Sequence, residues 1–248
     1  MADATETEGA SETVGEAAWE TALGTYLADP DAQGLRRFDY GGFVADAEAM
    51  AALDAYTDAL EARGAPPDDA GATAYWANLY NSVTVDLVAD HYPVTSIRKI
   101  KHGLFSIGPW KKPLVEVGGE TLSLDDIEHD ILRERYPSPL IHYMVNCASV
   151  GCPNLQPSLW RAETLDADRE RAAREFINSP RGVRVSGGRI EVSSIYKWFA
   201  ADFGGKSGVV PHLRAYADAA LLDALEGAKT YDSHDYDWAL NDQGDETR

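Results

Sequence analysis

Residues 114–124, LVEVGGETLSL, set two adjacent glycines between short runs in which apolar and polar side chains alternate. A tight primed turn needs positive φ at both central residues, which glycine adopts without a Cβ clash, so this spacing predicts a β-hairpin. Residues 183–192, VRVSGGRIEV, repeat the pattern. A third run, LIHYMVN at 140–146, is β-branched and aromatic and lies between YPSP and CASVGCP; it reads as a further strand. Elsewhere the period is helical: Trp19, Leu23, Tyr26 and Leu27 recur at helical spacing, as do Met50, Leu53, Tyr56 and Leu60. Hairpins dominate the strand order and no regular βαβ alternation is present. The expected class is α+β, an antiparallel sheet built from hairpins packed against several helices, including one buried apolar helix.

That buried helix is TAYWANLYNSVTVDLVADHY, residues 73–92. Trp76, Leu79, Tyr80, Val83 and Leu87 share one face, and Asn78, Asn81, Ser82 and Val85 the opposite one. Both faces look covered. An unpartnered buried amide costs roughly 1–3 kcal/mol, so Asn78 and Asn81 either bond loop backbone or line a polar pocket. Residues 1–15 carry Glu, Thr, Ser and Ala with little apolar content and are expected to be disordered. A helical lead-in over 16–63 follows, broken by GAPPDDAGA at 64–72. A single α+β domain is expected over 70–241, with a tail at 242–248.

The net charge of −19 and a pI near 4.6 argue against a nucleic-acid partner, because phosphates would meet repulsion in place of counterion release. Lysine is scarce among the 22 basic residues, whereas Asp and Glu number 41. That balance suits the acidic surface of a protein from a salt-rich cytoplasm, where ionic strength screens self-repulsion. The longest apolar runs fall short of a membrane span, and the acidic N-terminus is unlike a signal peptide, so a cytoplasmic location without membrane contact is expected. No G-x-G-x-x-G after a strand, P-loop or H-E-x-x-H is present, and no cofactor is expected.

Both cysteines lie in HYMVNCASVGCP, residues 142–153. Cys147 follows the expected strand in a run of small polar residues, where backbone N–H groups could stabilise a thiolate or oxyanion. Cys152 precedes Pro153, which biases it toward extended geometry and suits a structural or resolving thiol. If 142–147 were extended, His142 and Cys147 would lie about 16 Å apart on opposite faces. Either the chain turns at Asn146, or the base for Cys147 is His129. His129 lies in SLDDIEHDILRERY, residues 123–136, a helix started by Ser123 with Asp126 three residues on. Glu128 falls inside its apolar stripe and either pairs with Arg135 or serves near the thiol.

The segments AYWANLYN, LDDIEHDILR, IHYMVNCASVGCP, IYKWFAADF and DYDWALN together resemble the uncharacterised family called domain of unknown function 547, over roughly residues 70–241. The resemblance implies one compact domain with no established activity. Asn78, Asn81, Glu128, His129, His142, Asn146, Cys147, Ser149, Cys152 and Pro153 fall on its motif positions. Three readings of function stay open. In the first, Cys147 attacks a carbonyl, His129 or His142 acts as base, and Glu128 or an asparagine orients it; Asn78, Asn81, Asn146 and Ser149 would then contact an unknown small-molecule or peptide substrate. In the second, the cysteines are structural and the domain only binds a ligand. In the third, Cys147, Cys152, His129 and His142 hold zinc, although C-x4-C is looser than common zinc spacings.

Overall fold

The computed structural model describes residues 4–103 and 107–244, with side chains from residue 15. The fold is α+β. Helix α1 (Ala4–Tyr26) begins inside the segment expected to be disordered; Ala and Glu supply helix propensity that the low apolar content concealed. The short α2 (Tyr40–Ala45) is capped by the Asp39 carboxylate and α3 (Ala47–Arg63) by that of Asp46. Together with α1 they pack Trp19, Leu23, Phe43, Leu53 and Tyr56 against Tyr75, Leu79 and Val83 of α4 (Asp69–Ala89). The helical lead-in therefore shares its core with the domain expected to begin at residue 70.

Helix α4 is buried on nearly every side. Its second face joins a separate apolar cluster, where Ala74 and Ala77 meet Tyr143, Met144 and Trp160. The small alanines let the following segments approach closely, while the wide aromatic face packs on α1–α3. No helix among the described residues is long and apolar enough to cross a membrane.

Both glycine pairs turn hairpins. Strands β1 (Val115–Val117) and β2 (Glu120–Leu122) pair antiparallel around Gly118 and Gly119, which have φ of 61° and 83°. β3 (Val183–Ser186) and β4 (Arg189–Ser193) do the same around Gly187 and Gly188, at 57° and 77°. A fifth strand, β5 (Ser233–Asp235), lies parallel to β4, so the second sheet is mixed where an antiparallel one was expected. Residues 140–146 are not a strand. Pro139–Tyr143 form a 3-10 turn capped by the Ser138 hydroxyl, which accepts from the Leu140 N–H. Proline preset at the first position of the turn outweighs the β-branched composition. Asp242 and Gln243, expected in a tail, are held instead. Tyr92 donates to the Asp242 carboxylate at 2.9 Å, and the Gln243 N–H donates to the Phe38 carbonyl at 3.1 Å.

Candidate active site

The polar face of α4 positions the cysteine loop. Asn78 donates to the Trp160 carbonyl at 2.9 Å and accepts from the Trp160 N–H at 3.0 Å. One turn on, Asn81 donates to the Met144 carbonyl at 2.9 Å and accepts from the Asn146 N–H at 2.8 Å. Each side chain thus presents its amide as a strand edge would, pinning a loop backbone that has no neighbouring strand. Asn146 continues the chain of pins, donating to Pro153 at 2.7 Å and accepting from the Ala148 N–H at 2.9 Å. Asn78, Asn81 and Asn146, expected to contact a substrate, have their amides bonded to backbone, and none of the three lines the cavity described below.

Ala148 sits in the left-handed region at φ 55°, a conformation its bonded N–H and buried methyl hold in place. The chain doubles back there, bringing Cys152 beside Cys147. Past the turn, Val150 and Gly151 donate to Ala239 and Asp237 at 2.9 and 2.8 Å, stitching the loop to residues 237–241. A Cβ on Gly151 would lie 2.9 Å from the Asp237 nitrogen, so the close approach requires glycine. The half-buried Arg181 guanidinium ties the Val150 and Cys152 carbonyls to Gly34 and Asn154. This stitching carries Tyr236 over the sulfur and Trp238 to the rim of the cavity.

The Cys147 sulfur lies 2.8 Å from Cys152 Sγ, 3.2 Å from Ser149 Oγ and 3.1 Å from the Tyr236 hydroxyl, and Ser149 and Tyr236 are 2.9 Å from each other. Both cysteines are free thiols, Cys147 half-buried and Cys152 buried. The Cys152 thiol, with help from Ser149 and Tyr236, pulls the Cys147 pKa below that of an ordinary cysteine, against the opposing effects of burial and of the Glu128 charge. Burial, then the bond to Cys147, pushes Cys152 well above its usual value. Tyr236 is likewise pushed well up, first by burial and then by the neighbouring cysteine charge. Of the two sulfurs, Cys147 is the one whose surroundings favour the thiolate, with Cys152 and Tyr236 placed to donate to it.

That sulfur opens on a cavity of ≈ 180 Å³ whose lining includes Cys147, Cys152, Glu128, His129 and His142. The four residues read from the sequence as catalytic candidates therefore share one space. Trp110, Trp198, Phe199, Tyr236 and Trp238 form its aromatic walls, with Trp198 and Trp238 stacked at 5.6 Å. Trp198 remains 47% exposed, which leaves the mouth open.

Neither histidine bonds the sulfur, contrary to the expected Cys–His contact. His142, only 3% exposed, places Nε2 2.7 Å from Asp202 Oδ2 and stacks on Phe199 at 4.3 Å. Arg133 grips the same carboxylate through two bonds, of 2.7 and 3.0 Å. The His142 contact, then Arg133, holds the Asp202 carboxyl well below the usual range. An ionised carboxylate only accepts, so His142 carries a proton on Nε2. His129 lies in a π-helical segment, Asp126–Leu132, with Nδ1 3.3 Å from Arg133 and Nε2 3.8 Å from Asp125. The expected Ser123–Asp126 cap starts this segment, the Asp126 carboxylate accepting from the Ser123 N–H at 2.8 Å. Glu128 neighbours the buried Tyr80, whose hydroxyl is pushed well up by burial and then by the Glu128 charge. Among the described residues no ion pair joins Glu128 to Arg135, which is exposed.

The zinc set does not assemble: among the described residues no three His, Cys, Asp or Glu side chains converge as a metal site. Ser149, expected to touch substrate, instead bonds the Cys147 sulfur. Sequence reasoning passed over Asp202, Tyr236, Trp198 and Trp238, although they stand in IYKWFAADF and DYDWALN; aromatic residues clustered beside aspartates were the available signal. No curated protein and no solved structure matches the chain. Residues 68–177 match the family model described as protein of unknown function, DUF547, which spans Glu128, both candidate histidines and both cysteines but ends before Asp202 and Tyr236. Over that stretch the chain resembles this family.

Proposed function

We propose that the protein is a thiol-dependent enzyme that transfers or hydrolyses an acyl group, with Cys147 as nucleophile. The observation that supports this best is a thiolate-favouring sulfur, within hydrogen-bond reach of a thiol and two hydroxyls, opening on the same aromatic-walled cavity as two histidines and a glutamate. With the thiolate already favoured by its donors, no imidazole has to touch the sulfur. The histidines are then left to move protons on the substrate side. His142 resembles the oriented imidazole of a catalytic triad, its tautomer set by Asp202. In the reaction Cys147 attacks the carbonyl carbon, the leaving group departs with a proton supplied from an imidazole, and water or a second nucleophile releases the thioester. The tryptophan walls suit a substrate, small molecule or peptide, that presents an aromatic or apolar group next to the carbonyl.

A second reading, a binding module with structural cysteines, draws support from the absence of a Cys–His bond. One experiment separates the two. Reduced protein is mixed with a series of activated aryl and alkyl esters, and the intact mass is followed. The enzyme reading expects an acyl adduct on Cys147, lost in Cys147→Ser; a protein that binds the aryl compounds without ever forming the adduct is a binding module.

The acidic balance supports a cytoplasmic protein of a salt-rich cell, with neither nucleic acid nor membrane as partner.

A further inference from the structure

The two sulfurs form a built pair, of which acyl chemistry needs the second only as a donor to the first. Cys147 and Cys152 approach to 2.8 Å, and the Cys147 N–H donates to Cys152 Sγ at 3.0 Å. The loop between them is fixed from outside by Arg181 on the Val150 and Cys152 carbonyls, and by the pairing of Val150 and Gly151 with residues 237–239. Only Cys147 is half-open to the cavity; Cys152 lies behind it at 5% exposure. A small oxidant entering the cavity meets Cys147 first, and the second thiol already touches the sulfur that would be oxidised.

We propose that Cys147 and Cys152 are a peroxide-responsive dithiol, with Cys147 the attacking and Cys152 the resolving thiol. The Cys147 thiolate attacks the terminal oxygen of a hydroperoxide. The O–O bond breaks, an S–O bond forms, and the alkoxide or hydroxide takes up a proton, leaving a sulfenic acid. Cys152 then attacks that sulfur as thiolate; its proton and the sulfenic hydroxyl leave as water, and an internal disulfide forms. The protein loses two electrons to the hydroperoxide, and an external dithiol restores it by exchange. Because the sulfurs are already in contact, resolution needs only small loop movement and outruns further oxidation of Cys147. The disulfide removes the nucleophile, so the same event would silence an acyl-transfer activity. The pairing itself does not depend on that activity.

The test uses full-length reduced protein treated with up to one equivalent of hydrogen peroxide, quenched with iodoacetamide and read by intact mass and peptide mapping. The expected wild-type product has lost two hydrogens, joins Cys147 to Cys152, takes up no alkylating agent and is reversed by dithiothreitol. Cys152→Ser, and Cys152→Ala as a check that folding is kept, should instead accumulate oxygen on Cys147, about tenfold above wild type. Equal oxygenation in wild type and variants without an internal link overturns the proposal, as does a disulfide only between chains. The activated-ester assay on the reduced protein keeps the two ideas apart. An internal disulfide without acylation leaves the dithiol standing and removes the acyl-transfer reading; acylation without an internal disulfide does the reverse.

Discussion

Helix α4 and the aromatic-walled cavity both put polar groups among buried aromatic residues, and they use them in opposite ways. On α4, the amides of Asn78 and Asn81 are matched to backbone N–H and C=O groups of the loops that follow. Around the cavity, sulfur meets sulfur and hydroxyl, imidazole meets carboxylate, and Glu128, His129, His142 and Cys147 face open space. Saturation by backbone marks a group that builds the fold, since removing it orphans buried polar atoms. Polar groups bonded to one another and facing a void are free to change protonation, so they mark chemistry. The two regions are joined through Asn146, one residue before the nucleophile.

The largest effect expected from breaking this contrast is on stability. Asn81→Ala orphans the buried Asn146 N–H and leaves the Met144 carbonyl with only the Trp160 indole N–H; it should cost about 2–4 kcal/mol, read by urea denaturation. Cys147→Ser should stay within about 1 kcal/mol of wild type while losing any acyl adduct. If the two variants destabilise alike, the division between building and reacting groups fails.

Acid should weaken the second core through His212, a half-buried imidazole 2.7 Å from Tyr143. Burial, then the His142 charge, lowers its pKa from 6.5 to about 4. The unfolded chain takes up that proton first, so the stability contributed by the neutral ring is present above pH 6.5 and lost as pH falls toward 4, on the order of 3 kcal/mol. Asp86 acts in the opposite sense. Burial and Asp90 push it from 3.8 up to about 6, so its contribution is lost as pH rises through that window. His212→Gln should flatten the acid loss and Asp86→Asn should steepen it, both followed by urea midpoints between pH 4 and 7. An unchanged slope in His212→Gln would mean the imidazole is not kept neutral by the fold.

The smallest expected effect is on both regions equally. Molar potassium chloride should raise the melting temperature of wild type and Asn81→Ala by the same few degrees, because the acidic surface, not either buried region, responds to screening. A melting temperature that is flat or falls with salt removes the halophile reading.

Parts of this arrangement were legible in the sequence because they rest on local rules. Gly118–Gly119 and Gly187–Gly188 announce their turns, and Ser123 with Asp126 announces a helix start. Residues 140–146 misled because composition favours a strand while the Ser138–Pro139 step sets a 3-10 turn. Removing the strand also removes the argument that kept His142 far from Cys147, and both now line one cavity. Tyr236 and Asp202 were out of reach for another reason: each meets its partner across many residues of chain, 89 for Cys147 and 60 for His142, and no periodicity encodes such contacts.

The central claim is that Cys147 is a thiolate held by hydroxyl and thiol donors and not by an imidazole. The direct measurement is the pH dependence of iodoacetamide labelling of reduced, folded protein from pH 5 to 9, read peptide by peptide, in wild type, Tyr236→Phe, His129→Ala and His142→Ala. The expected result is a Cys147 midpoint below the ordinary cysteine value of about 8.5, raised by roughly one unit in Tyr236→Phe and little moved in either histidine variant, with Cys152 unlabelled. A midpoint at or above 8.5, or one moved by a histidine variant and not by Tyr236→Phe, would contradict the account.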